Sequence, residues 1–223
     1  MDYLKTNTLN IVNGQVMYNF FQEKGFLKDE TIVSFNEAMC YGMTSSSIFS
    51  TEFLETRSKV HNVSLDQYKN ITLKAIQPLL SKKFNSLTLW FDYDMFCQIN
   101  ILTILAWLDQ IDYQNTVTLV LVDDEFKPIE KQTLHPKGYK EIYHQVLIEK
   151  QTPGNILPHS LQRGIQLYLQ YHNPDSELLR YIHEHRDLPE KELVLSLLDN
   201  YKEYGLGDTQ YIELIRANRS GEN

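Results

Sequence analysis

Three features of the sequence predict an α/β fold: a three-layer, Rossmann-like sandwich on a mainly parallel sheet of about four strands, followed by a C-terminal helical subdomain. Short β-rich runs alternate with longer helix-compatible segments through the first two thirds of the chain, the order that winds helices over a parallel sheet. Two of the runs, SLTLWF at 86–91 and TVTLVLV at 116–122, are almost continuously apolar, as strands covered on both faces are. From about Gly138 onward strand-like runs stop, and proline-punctuated helical stretches take over.

In chain order, Thr8–Asn13 (TLNIVN) reads as the first strand, ended by Asn13-Gly14, and Val16–Lys24 as the helix after it. Thr31–Phe35 is the second strand. Ser64 is suited to cap a helix over SLDQYKNITLKAIQPLLSK, whose Leu65, Tyr68, Ile71, Leu73, Ile76 and Leu79 approximate helical spacing. Pro78 kinks or ends that helix. Ser86–Phe91 is the third strand, Asp94 opens an apolar helix at Met95, and Thr116–Val122 is the fourth strand. Strands connected in this way pair in parallel through right-handed crossovers. Residues 1–130 then form the α/β domain, and residues 131–223 a helical subdomain packed on it or extending from it.

The 223 residues are long enough to bury such a core, and a 42% hydrophobic, 22% charged composition is that of a packed globular chain. A formal net charge of −8 argues against a broad electrostatic grip on nucleic acid or an anionic membrane. MDYLKTNTLNIVNGQ lacks a basic region followed by a long apolar run, and the apolar region around 95–108 is too short and interrupted to span a bilayer. A cytoplasmic protein is the expectation. Cys40 and Cys97 follow no metal-ligand spacing and read as reduced, buried thiols. His61, His135, His144, His159, His172, His183 and His185 form no H-E-x-x-H or similar set, which argues against zinc.

Ligands of parallel α/β sheets bind beyond the carboxyl ends of the strands. The first strand delivers Asn13, Gly14 and Gln15 there, and the second Asn36 and Glu37. The third delivers Asp92 and Asp94, with Gln98 one turn into the next helix, and the fourth Asp123, Asp124 and Glu125. Asp92, Glu37 and Asp123 are the candidate catalytic acids; Asn13, Gly14, Gln15, Asn36, Arg57 and Gln98 are the candidate ligand contacts. Several carboxylates in one crevice have the chemistry to hold a divalent metal against a phosphate or to raise one another's pKa, although no motif specifies a metal or other cofactor.

Each candidate also has a plainer role. Asn13-Gly14 before a helix leaves N–H groups for an anion or makes a tight turn, and neither G-x-G-x-x-G nor a Walker-type lysine accompanies it. Glu37 reads as a metal ligand or general base, while Cys40 nearby has no histidine partner set by a motif. Arg57 is a cation for phosphate or carboxylate, or half of a surface ion pair. Asp94 is a helix N-cap. Gln98, an amide on an apolar helix, needs a loop backbone or a ligand as partner. Asn100 and Thr103, three apart, face another helix or solvent.

IVNGQ at 11–15, FNEAMCYG at 35–42, FLETR at 53–57 and LWFDYDMFCQINILTILAWL at 89–108 resemble the successive motifs of the bacterial domain of unknown function 1835 family. YLQYHNPD at 168–175 and YGLGDTQYIEL at 204–214 resemble its C-terminal part. The resemblance implies roles for Asn13, Gly14, Glu37, Cys40, Gly42, Arg57, Asp94 and Gln98 but brings no established activity. This chain departs from the family pattern at Asn10, where a histidine is usual, and at Gln15, where an aspartate is usual. If that aspartate binds a metal or acts as a base in relatives, the site here is altered or vestigial.

The polar strand ends favour a protein that binds a small molecule or nucleotide at the C-terminal edge of the sheet, as a hydrolase or transferase. The alternative is a non-enzymatic regulatory or protein-interaction protein, a homo-oligomer included. NYKEYGLGDTQYIELIRANR resembles the helix, glycine turn and second helix of helix-turn-helix modules. Acids outnumber bases from residue 175 onward, however, the opposite of a nucleic-acid footprint.

Overall fold

The computed structural model describes residues 7–220. Among them, five strands form one sheet: β1 Thr8–Asn13, β2 Thr31–Phe35, β3 Ser86–Phe91, β4 Val117–Val122 and β5 Pro128–Leu134. The spatial order is β2-β1-β3-β4-β5, with the first four strands parallel and β5 antiparallel to β4. The chain is therefore α/β and Rossmann-like, with a helical C-terminal part, as the alternation of apolar runs predicts. The fifth strand lies outside that expectation and crosses residue 130. It begins at a proline and is exposed along most of its length, so it carries the polar signature of a sheet edge instead of an apolar run.

Side chains alternate between two cores, following the period of two along each strand. Leu9, Ile11, Phe35, Leu89, Phe91 and Leu119 face the larger one. Val12, Ile32, Trp90 and Val120 face a smaller one closed by Met17 and Phe21 of helix α1 (Gly14–Glu23). Asn10 shares the smaller side, buried in mid-strand, where it accepts a hydrogen bond from Trp90 Nε1 at 2.9 Å and donates to Glu30 Oε2 at 2.7 Å. Position 10 is thus inside the sheet and away from its rim.

Helix α2 (Thr51–Val60) begins at Ser50, whose hydroxyl accepts from the N–H of Phe53. The long helix expected after Ser64 is instead three pieces: α3 (Leu65–Tyr68), a π-helical stretch Lys69–Leu73, and α4 (Gln77–Leu80). Ser64 and Gln67 do form a capping box. Pro78 starts the last piece instead of ending it, because a first helical turn has no use for its missing N–H.

Helix α5 (Met95–Gln110) is buried at every position from Cys97 to Leu108. A helix apolar around its whole circumference must be covered all round. The sheet covers one side; α6 (Tyr139–Tyr143) and α7 (His159–Tyr171) cover the other. The remaining helices α8 (Glu177–Glu184), α9 (Glu190–Asn200) and α10 (Asp208–Ser220) pack on α7 and on one another. No helix among the described residues is long and apolar enough to cross a membrane.

The approach of α7 to α5 depends on Gly164. A Cβ there would overlap Cβ and Cγ of Gln98. Gly164→Ala is expected to lower stability in urea denaturation by about 1–3 kcal/mol, the usual cost of overpacking. Gly154→Ala, at a site with open space around it, is the control and should change stability by under about 0.5 kcal/mol.

Candidate functional site

After β2 the chain leaves the sheet as Asn36-Glu37-Ala38, and Glu37 turns inward until its side chain is 0% exposed. A carboxylate there must be matched by opposite charge and hydrogen bonds. Its Oε1 accepts from Arg57 Nη2 at 2.7 Å, from His61 Nε2 at 2.6 Å and from the Ala38 N–H at 2.9 Å. Oε2 accepts from the Tyr68 hydroxyl. Burial alone would push the Glu37 carboxyl up, but the His61 hydrogen bond and the Arg57 charge outweigh it and hold it at about 2. Burial pulls Arg57 down in turn, and the Glu37 charge overrides this and raises it above its ordinary value.

Local sequence explains how these groups meet. Arg57 and His61 are one helical turn apart at the end of α2, so both reach the same carboxylate. Gly42 adopts φ +70°, and a Cβ there would run into Val60 of α2. The loop can therefore lie flat against α2 and wrap its carbonyls around the guanidinium. Arg57 donates to those of Ala38 at 2.9 Å, Tyr41 at 2.6 Å and Met43 at 3.0 Å. Arg57 is fully buried, which corrects the expectation of a cation waiting for a ligand anion.

Asn100 is likewise 0% exposed and faces neither solvent nor a distant helix. Its Nδ2 donates to the Glu37 carbonyl at 2.8 Å and to Asn13 Oδ1 at 2.9 Å, while its Oδ1 accepts from the Met39 N–H at 3.1 Å. Thr103, also fully buried, donates to the Ile99 carbonyl of its own helix. Asn13 Nδ2 donates to Cys97 Sγ at 3.0 Å, so Asn13 is engaged with α5. Strand order reverses between β1 and β3, the usual place for a ligand crevice. Here the first turns of α5 are bonded into it.

The acids stand at the C-terminal ends of parallel strands, on one edge of the sheet, but each is taken up by its own partners. Asp94 is the N-cap of α5, accepting from the Cys97 N–H at 2.6 Å, with Gly205 (φ +64°) pressed against its carboxylate. Burial raises Asp94 to about 6. Asp92 is half-buried, accepts from the Tyr93 N–H, and is raised chiefly by burial and then by the charges of Asp124 and Asp123. Asp123 accepts from the N–H groups of Glu125 at 2.9 Å and Lys127 at 2.8 Å and so shapes the β4–β5 turn. Gln98 is 0% exposed, donates to the Asp92 carbonyl at 2.7 Å and lies under Gly164, and its Oε1 is buried without a hydrogen-bond partner. Gln15 is exposed and bonds Asn19 and Ser34. Cys40 is fully buried and burial pushes its thiol up, away from the nucleophilic thiolate. Among the described residues, no three His, Cys, Asp or Glu side chains gather into a group that could hold a metal ion.

What remains open at this edge centres on His61, whose side chain is 30% exposed. Two adjoining hollows share His61 and Asn36. One of about 240 Å³ is bounded by Val63, Tyr68, Ile71 and Thr72, the last two from the π-helical stretch. The other, about 230 Å³, is bounded by Gly14, Phe35, Ala38 and Phe96. Of the expected ligand contacts, Gly14 and Asn36 line these hollows. His61 and Tyr68 are the additions, and the fourth-residue spacing of His61 from Arg57 was their one legible signal. An ionised carboxylate only accepts hydrogen bonds, so the Glu37 contact requires the proton on Nε2 and leaves the lone pair of His61 on Nδ1.

Arg57→Met leaves Glu37 buried without its guanidinium, with only His61, Tyr68 and the Ala38 N–H around it, and is expected to cost about 3–5 kcal/mol, whereas adding Glu37→Gln should recover part of that loss. Because Glu37 falls from its ordinary 4.5 to about 2, the stability it contributes is full above the ordinary value. That stability is lost as pH drops toward 2. Asp94 has the opposite sign. Its folded form takes up a proton near 6 instead of its ordinary 3.8, so the cost it carries at neutral pH fades on acidification. Asp94→Asn, which keeps a capping oxygen, should stabilise the protein by about 1–2 kcal/mol near neutrality. Parallel urea titrations across pH should show this gain vanishing below 3.8.

Comparison with protein-family models, with curated proteins and with solved structures gave no match.

Proposed function

We propose that the chain binds a small molecule at the C-terminal edge of its sheet and acts on it as a hydrolase or transferase, with His61 as the proton acceptor. One observation carries this reading: a half-open imidazole is held by a buried carboxylate that is itself locked by Arg57 and Tyr68. Glu37 fixes the tautomer and stabilises the imidazolium that forms when Nδ1 takes a proton from water or a substrate hydroxyl. Arg57 keeps Glu37 ionised, so the proton stays on the imidazole. The adjacent π-helical stretch supports the same placement, since such segments concentrate at functional sites. Asp92 and Asp123 have no part in this chemistry, and the resemblance to the domain of unknown function 1835 family is carried as part of the proposal.

A regulatory or protein-interaction role is the second reading, favoured by a hollow of about 290 Å³ between α9 and α10 lined by Val194, Leu195, Leu198 and Ile212. Nucleic acid is a poor partner for that end. Arg216 is paired with Glu190 at 2.8 Å, and Arg219 donates to the carbonyls of Arg186 and Leu188.

Long-range proton–nitrogen NMR of the histidines at about pH 8, where a free imidazole is neutral, tests the first reading. His61 is expected as the Nε2–H tautomer with a bare Nδ1, unchanged by Asp92→Asn. A proton on Nδ1 would leave no acceptor facing the crevice and defeat the assignment.

A further inference from the structure

Resting on that reading of His61, we infer that the ligand is an uncharged molecule of two ring-sized apolar parts joined at a hydroxyl or N–H group, and not a nucleotide or other phosphate. The two hollows meet at Asn36 and His61. Away from that junction their walls are chiefly apolar: Val63, Tyr68 and Ile71 on one side, Phe35, Ala38 and Phe96 on the other. A dry apolar cavity of about 150 Å³ accepts one benzene ring. The hollows, about 240 Å³ and 230 Å³ and both open to solvent where that cavity is closed, each have room for a ring or short branched chain laid against their walls. A molecule filling both lays its middle against the imidazole, where Nδ1 needs a donor and the Asn36 amide offers both donor and acceptor.

Charge decides against phosphate. Neither hollow is lined by Lys or Arg. Arg57 lies nearby but is fully buried: its Nη groups are taken up by Glu37 and three carbonyls, with His61 Nε2 3.4 Å from Nη2, and its Nε has no partner. Glu37 contributes only main chain to the wall, since the residue is 4% exposed while its side chain is 0% exposed. The start of α1 at Gly14 is the electropositive element of the rim. A single helix end without a basic side chain offsets only a small part of the hydration that a phosphate gives up. A neutral hydroxyl surrenders far less and is repaid by Nδ1.

The test is an NMR titration of the full chain with three probes, read at the His61 imidazole and the Asn36 side-chain amide. Diphenylmethanol has two rings joined at a hydroxyl, diphenyl phosphate has two rings joined at an anion, and benzyl alcohol has one ring. Diphenylmethanol is expected to shift both signals and to bind about tenfold more tightly than either of the others. Ile71→Lys, at a position 55% exposed, should fold normally. It should reverse the order of the alcohol and the phosphate. Diphenyl phosphate binding the native protein as tightly as diphenylmethanol would overturn the inference. So would binding of any probe that leaves His61 and Asn36 unmoved, or no binding at millimolar concentration. Failure of the proton-acceptor role is read separately, from the His61 tautomer without any probe.

Discussion

A carboxylate held ionised in a fully buried position sets the arrangement of one whole edge of this protein. Glu37 draws Arg57 into the interior, and Arg57 then organises what surrounds it, taking three carbonyls from the loop after β2 and anchoring the end of α2. Tyr68 closes the second carboxylate oxygen, which brings the π-helical stretch alongside. Buried ion pairs of this kind are often no more stabilising than apolar side chains of equal volume. Stability is thus a weak reason for keeping one here. What an apolar substitute would not supply is an imidazole with a defined tautomer at the mouth of a crevice.

The second organising element is α5, which fills the place where a ligand of a parallel sheet usually sits. Its first turns bond to the ends of β1 and β2 through Asn100 and Cys97. Two close approaches cover the same turns from outside, at Gly164 and Gly205. With the strand-order reversal closed, the open space at the edge is shifted toward β2, beside His61. Displacement of the site and the apolar nature of α5 are one fact seen twice: the helix is apolar because it is enclosed, and enclosing it seals the switch point.

The sheet was legible because its four parallel strands are buried on both faces and the apolar runs say so. The Asp94 cap was legible because capping is local: donor and acceptor are three residues apart. β5 was hidden by its edge position, which favours the charged residues that disguise a strand. The site was legible only in part, since every residue reaching the C-terminal rim could be enumerated but none could be told inward from outward. Arg57 and Glu37 are twenty residues apart in sequence, and Asn100 meets the Glu37 carbonyl across 63 residues. Nothing local reveals that these pairs neutralise each other. Metal-ligand spacing says nothing of His61; its distance of one helical turn from Arg57 is the local signal that places it beside the same carboxylate.

The contact between the Tyr41 hydroxyl and Glu213 joins positions 172 residues apart. It ties the loop that wraps Arg57 to α10, near the end of the described chain. During synthesis the strands β1 to β4 and the whole of α5 emerge well before α7 and α10 exist to cover them. The apolar outer side of α5 then stands open for as long as it takes the ribosome to reach the end of α7 at Tyr171, a period of seconds. Non-local closure of this sort slows folding. The long polypeptide stretch between the core helix and its cover is therefore where a chaperone would have most to shield, and where the route to the native state is most easily diverted toward aggregation.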